Sequence, residues 1–337
     1  MDQEVGAQSP QDGGRAEGVR RRSKRIKLPS FAGPLAALIV LCIFLGVLSP
    51  TFVTLSNLFN IGQQVAVLAV LAIGGTAVII LGGIDLSVGG VLALSGGLVG
   101  VAFVNHGVNI WLAAIIGIIA GAIIGAMNGV LIIWGKLPPF IATLAMMSIT
   151  RGLTLVILNG QPLSGYPQSF QNLTTFYVAG WVPTSVIIAV VLMVLGGMYF
   201  RWLPSGRGLY ALGANYEVAR LSGLPVQRLT IMVYSVAGLL AGVGGVMMTS
   251  RLVSAQPTAG TGIELDVIAA VVIGGASLAG GYGSVLGTAV GVLIIGVLRN
   301  GLNLLNVSSF WQQVVIGTVI AAAVLVENVR QRKESHN

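Results

Sequence analysis

Charged side chains are scarce in this sequence. Only 8% of its 337 residues are Asp, Glu, Lys or Arg, whereas 55% are hydrophobic, and the mean hydropathy is +0.91. Charged residues make up about 25% of ordinary globular domains. The composition therefore excludes a soluble globular protein and indicates that most of the chain lies in a membrane.

Residues that build enzyme active sites are also few. Only His106 and His336 are present, both predicted in a loop or tail, so neither a Ser-His-Asp triad nor a metal cluster is expected. Cys42 is the single cysteine and cannot form an intrachain disulfide, so it is interpreted as a packing residue. Among four lysines only Lys136 follows a glycine, and Leu137 comes next, so the phosphate-binding motif of P-loop ATPases is missing. We predict no enzymatic activity, no catalytic residue, no metal ligand and no cofactor, and ATP-driven work would need another subunit.

Apolar segments, in contrast, follow one another along the chain. Residues 31–49 carry no charge, and a spanning helix needs about 20 such residues. We predict an all-α integral membrane protein with about ten transmembrane helices, two of them shorter than an ideal span. An even number places both termini on one side of the membrane. The other nine segments are 61–81, 88–104, 111–134, 139–158, 184–200, 229–249, 266–278, 284–298 and 311–326.

Basic residues set the predicted orientation, because positively charged loops resist translocation. Residues 50–60, 105–110, 159–183 and 301–310 contain no Lys or Arg and are assigned to the periplasm. Residues 201–228 contain four arginines and are assigned to the cytosol. Arg251 is an exception, because the span count places it outside. The four arginines of the cytosolic loop are Arg201, Arg207, Arg220 and Arg228.

Both termini are basic, which predicts that both are cytosolic. Residues 1–30 contain seven Lys or Arg in a polar arm that is predicted to be disordered. A nucleic-acid-binding tail is one interpretation of this arm; we favour an anchor attracted to anionic membrane lipid, so nucleic acid is not a predicted partner. The chain is thus divided into the arm 1–30, a transmembrane domain 31–328 and a cytosolic tail 329–337. The tail carries Arg330, Arg332 and Lys333.

Glycines recur at four-residue spacing in segment 111–134. Such a face lets two helix backbones approach closely, which is how helices associate in lipid without a hydrophobic driving force. We interpret the repeat as a packing surface, not as a sugar-binding feature. Its members are Gly117, Gly121, Gly125 and Gly129, and Gly238 and Gly242 repeat the spacing later.

The middle of the cytosolic loop, residues 214–222, is predicted to form a short helix. Asn215 can cap its start, and Glu217 then lies in the first turn, where a carboxylate suits the positive end of the helix dipole. Gly223 can end the helix in a left-handed conformation, and Pro225 prevents its continuation. From these residues alone, a contact for a cytosolic partner and a solvated connector are both open.

Two segments are predicted to interrupt helices at membrane depth. In 82–90, Asp85 is flanked by paired glycines; it either caps the next helix through the N–H groups of Ser87 and Val88, or lines a polar path as broken helices do in transporters. In 264–283, Glu264 and Asp266 precede a very short apolar run, which favours a re-entrant or broken helix. Asp85, Ser87, Glu264 and Asp266 are the predicted residues of the translocation path.

Several motifs resemble the permease subunits of ATP-binding-cassette importers, in particular the ribose-type monosaccharide family. Residues 217–223, Glu-Val-Ala-Arg-Leu-Ser-Gly, resemble the family's coupling loop, with Val218 in place of its usual alanine. Residues 82–89, Gly-Gly-Ile-Asp-Leu-Ser-Val-Gly, are similar to another family motif, and 254–305 carry the strongest likeness. The likeness covers nearly everything from about residue 50 onward.

The resemblance implies a multi-pass protein of the bacterial inner membrane that imports a monosaccharide, with D-ribose as the favoured substrate. It also implies three protein partners: a cytosolic ATPase, a periplasmic sugar-binding protein and a second permease copy. An ion-coupled secondary sugar transporter is the alternative, with Asp85, Arg151 and Glu264 as candidates for ion coupling. The residues that the resemblance assigns to ATPase docking are Gly213, Asn215, Glu217, Ala219, Arg220, Leu221, Ser222 and Gly223.

Overall fold

A computed structural model describes residues 31–335, apart from the side chains at 320, 323, 324 and 326–335. The predicted arm 1–30 lies outside the described residues. Helices account for about three quarters of the described chain, as the apolar composition predicts. They are α1 (Ala32–Leu48), α2 (Leu55–Ile80), α3 (Val88–Gly100), α4 (Ile110–Ile133), α5 (Pro139–Ile157), α6 (Gln168–Thr175), α7 (Thr184–Trp202), α8 (Pro204–Ala214), α9 (Tyr216–Leu221), α10 (Val226–Leu252), α11 (Ile263–Ile273), α12 (Val285–Leu304) and α13 (Ser309–Ser335).

Each predicted apolar segment overlaps one of these helices, several of which extend beyond the predicted bounds. By length and composition, seven helices among the described residues can cross a membrane: α2, α3 with its π-helical extension Val101–Asn105, α4, α5, α7, α10 and α12. Helix α1 is apolar but has 17 residues, and α11 has only 11. The count of about ten therefore stays a prediction. Helix α13 runs on to Ser335, through most of the tail predicted at 329–337.

The helix α2 forms the centre of the bundle, with 83% of its most apolar window buried. Helices α10, α11, α12 and α7 pack around it. The glycine face of α4 lies against α10, as the packing interpretation predicts. A methyl group added to Gly121 would overlap the carbonyl oxygen of Gly238, and one added to Gly125 would overlap that of Tyr234. Only glycine permits this approach of the two backbones.

Four two-residue strands add to the predicted all-α architecture. Strand β1 (Leu163–Ser164) pairs antiparallel with β4 (Ser254–Ala255), and β2 (Tyr177–Val178) pairs with β3 (Val182–Pro183). The β1–β4 pair ties loop 159–183 to the irregular segment that precedes α11. Because its two strands are far apart in sequence, local patterns do not predict it.

Candidate translocation path and coupling surface

The short helix predicted within residues 214–222 forms, as α9 (Tyr216–Leu221). In α9 the side-chain oxygen of Asn215 accepts a 3.0 Å hydrogen bond from the Val218 N–H, and Gly223 has a φ of 81°. Glu217 lies in the first turn and forms a 2.8 Å ion pair with Arg220. Of the eight residues assigned to docking, Ala219 is buried and Gly213 is half-buried at the end of α8. The exposed members are Asn215, Glu217, Arg220, Leu221, Ser222 and Gly223.

The outward face of α9 is apolar. Leu221 is 80% exposed and Val218 59% exposed, and Tyr216 beside them is exposed as well. Ala219, on the opposite side, packs into a hydrophobic cluster with Leu209 and the start of α10. Large exposed apolar side chains gathered on one short helix are a feature of interaction surfaces.

Three chain segments meet at backbone contact distance beneath α9. We call this contact the glycine junction: Gly213 at the end of α8, the turn 80–82 after α2, and Gly280–Gly281 after α11. The Gly281 N–H donates a 2.8 Å hydrogen bond to the Ile80 carbonyl oxygen. A methyl group added to Gly213 would overlap that oxygen, and one added to Gly280 would lie 2.9 Å from the Gly82 Cα. The contact exists because these glycines have no side chains.

Asp85 lies in the turn between α2 and α3. Its Oδ1 accepts hydrogen bonds from the Ser87 N–H at 2.8 Å and the Ser87 hydroxyl at 2.6 Å, and Asn128 donates to the same hydroxyl at 2.8 Å. Asp85 is 8% exposed, and burial raises its pKa, against the lowering effect of the two bonds from Ser87. The N–H groups of Ser87 and Val88 were expected to donate to Asp85, and among the described hydrogen bonds that of Ser87 is found. Its contacts are those of a turn that begins a helix.

The two acids of α11 are both paired with arginines. Glu264 lies 3.5 Å from Arg151 of α5, and Asp266 lies 2.5 Å from Arg299 of α12. Glu264 also lies against Gly89, where an added methyl group would overlap its carboxylate. The first turn of α3, just after the Asp85 turn, therefore contacts the first turn of α11. The two predicted helix interruptions are neighbours in space.

A polar cavity of about 500 Å3 lies beside the start of α11. Asp266 lines it, whereas Glu264 does not. Arg151 connects Glu264 to the lining, because it pairs with Glu264 and donates a 3.1 Å hydrogen bond to the hydroxyl of Thr261. Asp85 and Ser87 are not among its described lining residues, and none of those is aromatic. The polar lining side chains are Gln64, Arg251, Gln256, Thr258, Thr261, Asp266, Arg299, Asn303 and Gln312.

Two of these lining residues, Arg251 and Arg299, were not predicted for the translocation path. Each is an ionisable residue near the end of an apolar helix, α10 and α12 respectively. Both are costly in lipid and thus point to a cavity or a partner. The guanidinium of Arg251 donates a 3.3 Å hydrogen bond to the backbone oxygen of Gln63.

Comparison with known proteins places these features in a family. The family model described as "Branched-chain amino acid transport system / permease component" matches residues 57–324, which include the cavity, the glycine junction and α9. The chain belongs to this permease family. It is a multi-pass inner-membrane protein.

Named relatives resemble the chain over most of its length. The ribose import permease of Escherichia coli K12 is 48% identical over 300 residues, covering 88% of this chain and 93% of the relative. That of Bacillus subtilis 168 is 48% identical over 318 residues, covering 93% and 98%. The D-allose permease of E. coli K12 is 40% identical over 293 residues, covering 86% and 89%. No solved structure matches the chain.

Proposed function

We propose that this chain is the membrane-spanning subunit of an ATP-binding-cassette importer for a monosaccharide, and that the monosaccharide is D-ribose. The observation that carries the proposal is the 48% identity to two ribose import permeases over about nine tenths of the chain. A separate cytosolic ATPase supplies the energy, a periplasmic protein delivers the sugar, and a second permease copy completes the path. In the proposed orientation both termini are cytosolic.

The polar cavity is the proposed entry to the path. It lies between the N-terminal part of α2 and the C-terminal parts of α10 and α12, which are the ends assigned to the periplasm. Amide and hydroxyl groups from Gln64, Gln256 and Thr258 can exchange hydrogen bonds with sugar hydroxyls. Without an aromatic surface for the sugar ring, binding stays weak, and a path must release its substrate as readily as it admits it.

The ion pair between Asp266 and Arg299 reduces the net charge of the cavity wall. A carboxylate and a guanidinium at 2.5 Å compensate each other, so this part of the wall offers directed hydrogen bonds without net charge. Arg251, which has no ion-pair partner among the described residues, is the remaining charge in the lining. The paired groups and the uncharged amides and hydroxyls suit a neutral, hydroxyl-rich solute. The ion-coupled secondary transporter is less well supported, because Arg151 already pairs with Glu264, and Asp85 is engaged by Ser87 in a turn.

Helix α9 is the proposed contact with the ATPase. Its exposed face offers Val218 and Leu221 for an apolar groove, with the Glu217–Arg220 pair beside them for polar contacts. Helix α8 directly precedes it and ends in the glycine junction. A rigid shift of α8 and α9 would therefore press on the end of α2 and on the loop after α11.

Helix α11 connects the junction to the cavity. Its 11 residues span about 16 Å. Asp266, in its first turn, lines the cavity, and Gly280–Gly281, which follow its other end, belong to the glycine junction. Movement of the ATPase can thus reach the Asp266–Arg299 pair through one short helix, which is the proposed route of coupling.

Reconstitution tests the proposal. The permease is co-purified with its proposed ATPase and sugar-binding protein, placed in liposomes, and supplied with ATP and labelled D-ribose, D-allose or D-xylose. We expect ATP-dependent uptake that requires the binding protein and prefers D-ribose. Uptake driven by an ion gradient without the ATPase would overturn the proposal in favour of the secondary transporter.

A further inference from the structure

A second cavity, of about 690 Å3, is a groove on the outer surface of the helix bundle. One wall is α7, and the other is formed by α2 and α12. Buried Val65, Ala69 and Val292 form its floor, while Val190 and Leu286 at its rim are 55% and 69% exposed. The volume falls within the about 300–1,000 Å3 of typical small-molecule sites.

The groove runs along most of the membrane-crossing part of α7. From Val186 to Trp202 the helix rises about 24 Å, compared with about 30 Å for the hydrocarbon core of a bilayer. The described side chains leave it open: Gly197 lies in its wall, and no described atom is within 4 Å of where a methyl group would stand. A groove of this length and depth in lipid accommodates a hydrocarbon chain.

One end of the groove is polar and positively charged. Arg201, Trp202, Tyr210 and Ser284 line it there. Arg201 is exposed, and among the described residues it has no ion-pair partner, since the three ion pairs found lie elsewhere. Trp202 is 60% exposed, and tryptophan is typical of the headgroup level of a membrane. The charge is thus available to a phosphate at that level.

We propose that this groove binds one acyl chain of an anionic phospholipid, with the lipid phosphate at Arg201. The apolar length matches the acyl chain, and the unpaired guanidinium complements the phosphate. Because α7 continues directly into α8, an occupied groove would also brace the helix that leads to the glycine junction.

Lipid binding to the purified, detergent-solubilised protein tests the proposal. Native mass spectrometry is used to titrate phosphatidylglycerol and phosphatidylcholine with identical acyl chains. We expect the anionic lipid to bind more tightly, Arg201→Gln to weaken it by about fivefold, and Gly197→Leu to remove the site. The matched controls are Arg207→Gln, an exposed arginine outside the groove, and Gly152→Leu, where α5 also leaves open space. Both controls should bind like wild type.

Cross-linking locates the bound chain. A phosphatidylglycerol with a photoreactive acyl chain should label peptides of α7 and α12, and excess unlabelled lipid should compete. If Gly197→Leu lowers the melting temperature, Val194→Trp at the exposed rim serves as a second blocking variant. Equal affinity for both lipids, or unchanged binding in a folded blocking variant, would overturn the proposal. In a Cys42→Ser background, a disulfide between two copies of Val194→Cys would show a protein interface there instead.

Discussion

Replacing Gly213 by alanine tests whether the glycine junction carries motion from the ATPase to the path. The new methyl carbon would overlap the Ile80 carbonyl oxygen and lie 2.6 Å from the Gly281 nitrogen, 0.8 Å inside the 3.4 Å at which ordinary contact begins. Because both neighbours are backbone atoms, we expect the upper part of the overpacking range, about 3 kcal/mol. Alanine recovers about 1 kcal/mol as the better helix former. The remaining roughly 2 kcal/mol favours a separated junction by about thirtyfold.

Coupling is measured in proteoliposomes as sugar taken up per ATP hydrolysed. We expect the Gly213→Ala complex to assemble and hydrolyse ATP, with uptake per ATP reduced by about tenfold or more. Gly208→Ala in the same helix is the matched control, since its methyl group would make ordinary contacts at 3.6 Å with Leu229 and 3.7 Å with Leu224. Equal coupling in the two variants would refute the proposed route. If Gly213→Ala fails to assemble while Gly208→Ala assembles, the junction would be a packing contact and not a route of coupling.

Three further predictions concern Asp85, Glu217 and the orientation in the membrane. Because burial raises the pKa of Asp85, its charged form is less stable in the fold, so stability is lost as pH rises above the ordinary value of about 3.9. Asp85→Asn should therefore melt at a higher temperature than wild type at pH 7.5, and this gain should shrink toward pH 4. The free energy of unfolding of Asp85→Ala should be about 1 kcal/mol below that of Asp85→Asn. Equal loss of uptake in both variants at unchanged melting temperature would instead place Asp85 in the path. Glu217→Arg should leave insertion and folding intact while abolishing sugar uptake and weakening ATPase co-purification, and normal uptake would favour a solvated connector. In a Cys42→Ser background, cysteines at Ser169 and Ser205 should label from opposite sides of intact cells, and labelling from one side would contradict the orientation.

Local chemistry predicted the local structures well. The cap of α9 needs only Asn215 and the backbone three residues later, and its end needs only a glycine, so each is readable from a few neighbouring letters. The helix interruption at Asp85 was predictable for the same reason. In each case the interacting groups lie within about one helical turn, where sequence spacing fixes distance.

The cavity could not be predicted in the same way. The Asp266–Arg299 pair joins residues 33 positions apart, and Arg151 reaches Thr261 across 110 positions. Which arginine meets which acid depends on how α5 and α12 pack against α11, and apolar helix faces in lipid carry little information about their neighbours. The paired strands β1 and β4 were missed for the same reason.

The glycine face between α4 and α10 has a consequence for how the chain is made. Helix α4 is complete at Ile133, but its partner is complete only at Leu252, 119 residues later. Because synthesis adds about 5–20 residues per second, the glycine face of α4 is without its α10 partner for roughly 6 to 24 seconds. During that interval its exposed backbone can associate with any small-residue helix nearby. Newly inserted copies of this permease are thus most vulnerable to wrong pairing before α10 leaves the ribosome.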